Sequence, residues 1–226
     1  MEEEDFDNGI PGFEFDENDW PTTNERPPPF VDRYFSRFYK TDMNGKTGED
    51  HCVLCHSNKI CMVTLAKSHP VITEKKVISS INFQVADGIN RLDNKVSGKG
   101  KRGAQWVKPN SALCRIICED SSQYTVCACV RGMLVEINET ILTSPNFIAE
   151  KPEDAGFVAI ILIKRNEYER EKKALLSEEK YKEIVNKRSS TVDKLNNVEE
   201  PNKTEQTTSI ETVDKLNNVE EQATSV

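Results

Sequence analysis

The chain has 226 residues and a formal net charge of −8 at pH 7, with 36% hydrophobic and 30% charged residues. This composition suits one modest globular domain with disordered tails, and no run approaches the roughly 18 to 20 apolar residues that span a bilayer. Met1 precedes Glu-Glu-Glu-Asp rather than a basic and then apolar signal peptide, so we expect an intracellular start and no membrane span.

The charge is distributed unevenly along the chain. Residues 1–25 carry ten acidic and no basic side chains (−10), residues 26–164 carry 14 acidic and 19 basic ones (+5), and residues 165–226 carry 14 and 11 (−3). The total of −8 therefore hides a mildly basic body between acidic ends, and such a body suits an acidic partner.

The N-terminal segment, residues 1–29, is predicted to be disordered. Its clustered carboxylates repel one another, and its isolated aromatic residues cannot offset the entropy cost of ordering. These aromatic residues are Phe6, Phe13, Phe15 and Trp20. The segment is either a solubilising tail or a docking segment similar in composition to those of transcriptional activators.

Residues 30–188 are predicted to form one mainly β domain. Short apolar runs with strand character are separated by turn residues, and no long helical pattern alternates with them, which disfavours a doubly wound nucleotide-binding fold. The predicted strands cover residues 60–66, 77–83, 112–118, 124–130, 133–138 and 157–163.

A helix is predicted over residues 175–188, near the end of this domain. Ser177 can cap it, Glu178 and Glu179 suit its positive N-terminus, and Lys187 suits its other end.

The remaining tail, residues 189–226, is predicted to be disordered and contains TVDKLNNVEE at residues 191–200 and again at 212–221. Two copies cannot bury a continuous core as a solenoid does, so we interpret the repeat as a recent duplication.

A fragment rich in histidine and cysteine raises the question of a metal site. The spacing of His51, Cys52, Cys55, His56 and Cys61 resembles a zinc knuckle, and Cys-Val-Leu-Cys-His also fits the haem attachment pattern. A structural zinc site normally adds a second fragment of similar spacing, whereas the other cysteines lie far downstream as two pairs in predicted strands. We expect seven reduced thiols, mostly buried, and neither metal nor cofactor, with zinc as the alternative.

Signatures of catalysis are weak. The chain has no nucleophile elbow, no glycine-rich phosphate loop and no His-Glu-x-x-His motif. A Cys-His nucleophilic pair can be drawn with His51, His56 or His69, but any chain with seven cysteines allows that. We predict that the protein is not an enzyme.

A basic, glycine-containing loop is the strongest electrostatic feature. Lys95, Lys99, Lys101 and Arg102 precede Trp106, and we name these four cations as candidate partner-binding residues. The loop suits ordinary solvation, contact with an acidic protein surface, or binding of nucleic acid by phosphate contacts and base stacking.

Residues 129–162 carry a family resemblance. Val-Arg-Gly at 130–132, Leu-Val-Glu-Ile-Asn at 134–138, Ser-Pro at 144–145 and Gly-Phe at 156–157 resemble the second half of the glycine-cleavage H protein domain. The helix that follows is similar as well.

That family carries lipoate on a lysine at a hairpin tip, eleven residues before the turn glycine. The resemblance places this position at Ser121, counted back from Gly132, and a serine has no amine to acylate. It therefore implies an H-protein scaffold without the lipoyl arm.

Four longer segments are similar to the Abitram family, also called Simiate, across residues 31 to about 188. They are VDRYFSRFYK, EDHCVLCHSNKICMVTLAKSHP, RLDNKVSGKGKRGAQWV and YTVCACVRGMLVEINE. The resemblance implies an H-protein-like barrel-sandwich hybrid that binds actin and influences filament assembly and filopodia, with a further nuclear role in transcription.

Two functional hypotheses follow. The first is a non-enzymatic actin-binding regulator, acting on monomer, filament or both, in the cytoplasm with its actin-rich projections and in nuclear speckles. The second is a nuclear interaction module that binds nucleic acid or transcription factors through the basic loop and the acidic N-terminus.

Overall fold

The computed structural model describes residues 28–196. Contacts divide the chain into two units, Met1–Glu183 and Ile184–Val226, and the second unit contributes only helical residues 184–196 to the described part. The predictions of disorder for residues 1–27 and 197–226, and the second repeat copy, lie outside the described residues. The domain boundaries at residues 29 and 188 stay predictions.

The described residues form twelve short strands. These are β1 (Phe35–Lys40), β2 (His51–His56), β3 (Ile60–Leu65), β4 (Ile78–Asn82), β5 (Gln84–Ala86), β6 (Ile89–Asn90), β7 (Trp106–Val107), β8 (Ala112–Cys118), β9 (Gln123–Cys127), β10 (Gly132–Ile137), β11 (Ala159–Leu162) and β12 (Leu176–Ser177).

Six helices accompany the strands in this part of the chain. They are α1 (Phe30–Tyr34), α2 (Pro70–Thr73), α3 (Thr140–Thr143), α4 (Phe147–Glu150), α5 (Tyr168–Lys173) and α6 (Glu178–Asn196), and short 3₁₀ turns cover Met43–Gly45 and Arg91–Asp93. No helix within residues 28–196 is both long and apolar enough to cross a membrane.

The strands form antiparallel sheets. The larger one has seven strands in the order β12-β1-β2-β3-β11-β10-β7, a second has the order β4-β8-β9, and β5 pairs with β6. The prediction of a mainly β fold is confirmed, and all six predicted strands are present with bounds that differ from the expected ones by at most three residues.

The core is built from the inward faces of both larger sheets and from α3 and α4. Val53, Leu65 and Ile161 come from the seven-stranded sheet, and Leu113 and Ile116 come from β8. All five side chains are at most 1% exposed, and each such burial contributes about 1.5 to 3 kcal/mol relative to exposure.

The predicted C-terminal helix begins later and ends later than expected. Leu176 and Ser177 pair with Tyr39 and Phe38 as β12, so α6 begins only at Glu178, and it continues to Asn196. A hydrogen bond from its own backbone amide, and then one from the Ser177 side chain, lower the pKa of Glu179, as expected for a residue at the helix N-terminus.

Gly132 is not in the tight turn that the sequence suggested. It begins β10, and a Cβ there would lie 2.6 Å from both the Ile161 methyl group and the Leu162 carbonyl oxygen of β11. Glycine is required by this close approach of two strands and not by turn conformation.

Candidate partner-binding surface

The four candidate cations lie on or beside a short turn that closes on itself. Ser97 and Arg102 exchange two backbone hydrogen bonds of 2.9 Å, and the chain between them carries Lys99 and Lys101. Lys101 has a φ of 51°, and at Gly103, with a φ of 81°, a Cβ would lie 2.3 Å from the Lys95 carbonyl oxygen. We call residues 95–103 the basic hairpin, and its left-handed turn positions make its shape specific.

A buried arginine anchors the segment that leads into the basic hairpin. Arg91 is 7% exposed, and it donates from Nε to the Ala112 carbonyl oxygen at 2.9 Å and from Nη1 to Gln105 Oε1 at 2.7 Å. Burial lowers the pKa of its guanidinium. Each bond from a charged donor contributes about 1.5 to 3 kcal/mol, which offsets part of the desolvation cost.

Asn94 and Gln105 complete this anchor from the two ends of the hairpin. Asn94 Nδ2 donates to the Leu134 carbonyl oxygen at 2.9 Å, and its Oδ1 accepts from the Gln105 amide at 2.8 Å. The Leu134 amide in turn donates to the Gln105 carbonyl oxygen at 2.8 Å. These bonds join the hairpin to β10, so they fix the position of the hairpin relative to this strand. Sequence reasoning missed all three anchor residues, because polar residues in a predicted loop give no signal of burial.

The cations are available to a partner. Lys95, Lys99 and Arg102 are exposed and Lys101 is partly exposed. Within residues 28–196 the ion pairs use other residues.

An exposed tryptophan lies directly after the hairpin. Trp106 in edge strand β7 is 49% exposed, and the Lys164 amine lies 4.9 Å from its ring centroid. The structure thus places an aromatic ring and a further cation beside the four predicted residues. Sequence reasoning missed Lys164, which is distant in the chain.

Ser121 lies in the turn between β8 and β9, at the tip of that hairpin. Its φ is 67°, and its amide donates to the Cys118 carbonyl oxygen at 3.0 Å. Asp120 beside it pairs with Lys76 at 2.5 Å, and hydrogen bonds with Lys76 and Ser122 lower the pKa of this carboxyl. The tip is therefore a compact turn that presents a hydroxyl group where the H-protein pattern has a lysine.

The histidine and cysteine fragment lies on β2 and β3, where its side chains are used in packing. His51 Nε2 accepts from the Cys127 amide at 3.2 Å and Nδ1 lies 3.3 Å from the Glu49 carbonyl oxygen, so both ring nitrogens have partners. Cys55 and Cys61 face each other across the strands with sulfurs 3.4 Å apart. In the described part of the chain, no group of three or more metal-binding side chains is arranged to hold an ion.

All seven cysteines are buried and unbridged. Burial raises the pKa of Cys127 to about 11 and that of Cys52 to about 12, whereas a hydrogen bond with Cys61 lowers the pKa of Cys55. A nucleophilic thiol needs access and a stabilised thiolate, and Cys52 and Cys127 have neither. The prediction that the downstream cysteines act as small buried residues is confirmed.

A buried polar cluster joins the first turn of α6 to the larger sheet. Asp50 Oδ2 accepts from Ser68 Oγ at 3.0 Å and from the Tyr181 hydroxyl at 3.2 Å, and Ser68 also bonds to that hydroxyl. The Tyr181 ring stacks on Tyr39 with centroids 3.9 Å apart. Nearby, His69 caps α2 by accepting from the Val71 amide. The cluster is structural, since every polar group has a protein partner.

Comparison with known proteins shows which families this chain resembles. The family described as "Glycine cleavage H-protein" matches residues 118–188, which confirms the predicted H-protein-like fold with its C-terminal helix. A solved structure of a glycine cleavage system H protein from Mycobacterium marinum aligns with a TM-score of 0.42 and 14% identity, over 65% of this chain and 93% of that one.

Curated relatives match most of the chain. A Danio rerio protein named Protein Abitram is 48% identical over 165 residues, which is 73% of this chain and 93% of the relative. The Homo sapiens protein of that name is 50% identical over 71% of this chain and 89% of its own length, and the Drosophila melanogaster one is 38% identical over 69% and 70%. The resemblance found in the sequence is confirmed, and the chain belongs to the Abitram family.

Proposed function

We propose that this protein is a non-enzymatic actin-binding protein that regulates filament assembly and cell protrusions through the basic hairpin and Trp106. The observation that carries the proposal is a set of four cations on an anchored turn beside a half-exposed tryptophan. These cations take no part in the ion pairs within residues 28–196. The family is not an enzyme family, and the resemblance drawn from the sequence implies actin as the partner.

The arrangement suits an acidic protein surface. Unpaired cations raise the rate of encounter and fix the register, while adding less to affinity. An exposed tryptophan supplies the apolar contact that often dominates interface energetics. Because the hairpin is held by Arg91, Asn94 and Gln105, little loop entropy is lost when a partner binds.

The proposal extends to the place of action. We propose that the protein acts in the cytoplasm, including actin-rich projections, and in the nucleus, including speckles, on monomeric actin, filaments or both.

Co-sedimentation of the full chain with filaments, together with a monomer-binding assay over a salt series, tests this function. We expect binding in at least one assay at low salt, and weakening as salt rises, because exposed charges are screened over about 8 Å at physiological ionic strength. Absence of binding in both assays at low salt contradicts the proposal.

The second candidate is a nuclear interaction module that binds nucleic acid. The cation over the Trp106 ring and the neighbouring hairpin favour it, since cations that follow phosphates and an aromatic ring that stacks on a base form a single-strand binding surface. In this function the acidic, aromatic N-terminus would dock transcription factors.

RNA and DNA affinities separate the two candidates. A steep loss of affinity between low and moderate salt favours nucleic acid, because each neutralised phosphate adds about 0.7 to 0.9 to the slope of log affinity against log salt. Pelleting with actin after nuclease treatment favours the first function.

A further inference from the structure

A second cationic feature lies next to the hairpin surface. A cleft of about 400 Å³ opens where β3 begins and β11 ends, with Lys59, Lys164 and Arg165 on its walls and Met133 and Leu162 among its apolar residues. We call it the cationic cleft. Its volume lies at the small end of the range for ligand sites, so it fits a few side chains of a peptide better than a large cofactor.

The cleft keeps its positive charge. The amine of Lys59 lies over the Tyr168 ring at 4.2 Å and that of Lys164 over the Trp106 ring at 4.9 Å. The ion pairs of residues 28–196 do not include Lys59, Lys164 or Arg165. Glu167, two residues beyond Arg165, forms ion pairs with cations outside the cleft.

Those cations are Arg170, 3.5 Å from the Glu167 carboxylate, and Arg131, 4.0 Å from it. The nearest acidic side chain in sequence therefore does little to neutralise the cleft. Cations beside apolar walls and two aromatic rings would recognise an acidic peptide that also carries aromatic side chains.

We propose that the cationic cleft is a peptide-docking site whose occupant is the N-terminal segment of this same chain, residues 1–25. That segment has ten carboxylates and no basic residue, and among them lie Phe6, Phe13, Phe15 and Trp20. The tail at residues 197–226 is also acidic but has no aromatic residue, so it offers nothing for the apolar walls.

The chain enters the described structure close to this cleft. Phe35 pairs with His56 in the register of β1 and β2, and their rings lie 5.2 Å apart. His56 directly precedes Ser57, Asn58 and Lys59, which line the cleft. Helix α1 keeps this end of the chain close to Phe35, since the Phe30 and Phe35 rings lie 6.2 Å apart. The eight residues from Trp20 to Pro28 span about 26 Å when extended, so residues 13–20 can reach the cleft.

The other cleft near the chain entry is a poor competitor. It measures about 510 Å³ and includes Phe30 and Phe157, but Glu153 and Asp154 also line it. Glu153 is paired with Arg37, but the residues that line this cleft include no basic side chain, so it offers an acidic segment no charge attraction. Tethering gives the segment a local concentration in the millimolar range at the cationic cleft, which makes weak individual contacts sufficient.

The docked segment would cover Lys164 and the adjoining face of Trp106. It would therefore compete with any external acidic partner of that surface. This self-docking goes beyond the proposed function and does not depend on actin being the partner.

Zero-length cross-linking of carboxylates to amines in the full chain, followed by mass spectrometry, tests the docking directly. At low salt we expect amide links from Glu14, Asp16, Glu17 or Asp19 to Lys59 and Lys164, and we expect them to disappear at high salt. Mixing ¹⁴N- and ¹⁵N-labelled protein distinguishes links within one chain from links between two copies.

Variants that leave both cross-linked groups intact provide the controls. Arg165→Glu should reduce the yield at Lys59 and Lys164 about fivefold, since one favourable charge becomes unfavourable. Replacing Phe13, Phe15 and Trp20 by Ala should also reduce it, because the apolar contacts are lost. The exposed Lys151→Glu, outside the cleft, should leave the yield unchanged.

Several results would overturn the proposal. They are the absence of these links, links only between copies, links from the acidic C-terminal tail in place of the N-terminal segment, and yields that do not respond to Arg165→Glu or to the aromatic substitutions. Because no actin is present, a failure here is separate from a failure of the proposed function.

Discussion

His51 and His69 lie inside the first unit with their rings 6.1 Å apart and almost no exposed surface. Both act as hydrogen-bond acceptors for backbone amides, His51 for Cys127 and His69 for Val71. A protonated ring nitrogen cannot accept a hydrogen bond, so both side chains must be neutral in the folded state. Burial lowers the pKa of His51 to about 4 and that of His69 to about 3.

This burial predicts that stability falls in mild acid. Below an unfolded-state pKa near 6.5 the unfolded chain binds protons that the folded chain excludes, so stability is full above pH 6.5 and decreases as pH falls towards 4. Below pH 6.5 each histidine lowers the free energy of unfolding by about 1.4 kcal/mol per pH unit, which gives about 4 kcal/mol for the pair at pH 5. Urea unfolding at pH 7.5, 6 and 5 measures the loss.

The variant His69→Asn provides the control. Asparagine retains a cap for α2 but does not titrate, so the loss between pH 7.5 and 5 should be about halved. Equal stability of the natural chain at both pH values would contradict this account of the histidines.

A single glycine determines the shape of the basic hairpin. We expect Gly103→Ala to destabilise the protein by about 2 kcal/mol or more, because a left-handed alanine is strained and its Cβ meets the Lys95 carbonyl group. At Gly98 the φ of 65° is also left-handed but the space is open, so Gly98→Ala should cost only about 1 kcal/mol. Thermal unfolding compares the two variants, and equal losses would show that the contact with Lys95 does not matter.

At the scale of elements, the β8–β9 hairpin shows what a family pattern can locate. Counting residues from Gly132 placed Ser121 at a hairpin tip, and the structure has it in the turn between β8 and β9. The match to the glycine cleavage H-protein family begins at residue 118, at the end of β8.

Protein made in a lipoylating host should therefore carry no lipoyl group. The tip offers the hydroxyl group of Ser121, and a hydroxyl group does not form the amide that links lipoate to lysine. Intact-mass measurement of the full chain checks this, with a lipoylated H protein from the same host as the positive control. A mass increase of one lipoyl group on any lysine would refute the prediction.

Tyr181 attaches the first turn of α6 to the larger sheet. Tyr181 is 6% exposed and combines ring stacking on Tyr39 with a hydroxyl bond to Asp50. Tyr181→Ala should cost about 3 kcal/mol of unfolding free energy, as for other buried aromatic residues. Tyr181→Phe keeps the ring, so it should cost about 1.5 to 3 kcal/mol for the lost bond to a charged acceptor.

Urea unfolding of the two Tyr181 variants separates stacking from hydrogen bonding. A loss in Tyr181→Phe larger than in Tyr181→Ala would contradict the assignment of part of the stability to the ring.

Strands with a continuous run of hydrophobic residues were predicted from the sequence. Strands that are defined only by their hydrogen bonds to a neighbouring strand were not. β8 was predicted with its observed bounds from Ala-Leu-Cys-Arg-Ile-Ile-Cys. β2 was not predicted as a strand, because its histidines and cysteines directed attention to a metal site, which was expected to be absent; its cysteines act as small buried residues. β7 and β12 are two residues each, and only their partners β10 and β1 define them.

The candidate site was predictable in part for the same reason. The cluster of Lys95, Lys99, Lys101 and Arg102 is local in sequence, so it can be recognised from the sequence alone. Its anchor at Arg91 and its neighbour Lys164 depend on contacts between distant segments, which composition cannot reveal.

At the scale of the whole molecule, a net charge of −8 would ordinarily argue against an acidic partner. The division of charge removes that objection, because residues 26–164 carry +5 and the hairpin cations are outside the ion pairs described for residues 28–196. An acidic N-terminus that occupies the cationic cleft would compete with other acidic partners for this basic body. Both proposals therefore depend on the same separation of charge.

The most direct test of the actin proposal is charge reversal in the full chain, read out as the rate and extent of filament assembly. The test variant combines Lys99→Glu, Lys101→Glu and Arg102→Glu, and the control combines Lys67→Glu, Lys75→Glu and Lys151→Glu, which are exposed and change the net charge equally. We predict that the hairpin variant weakens the effect on assembly about tenfold and that the control does not. Equal effects of both variants, or none from the hairpin variant, would contradict the account.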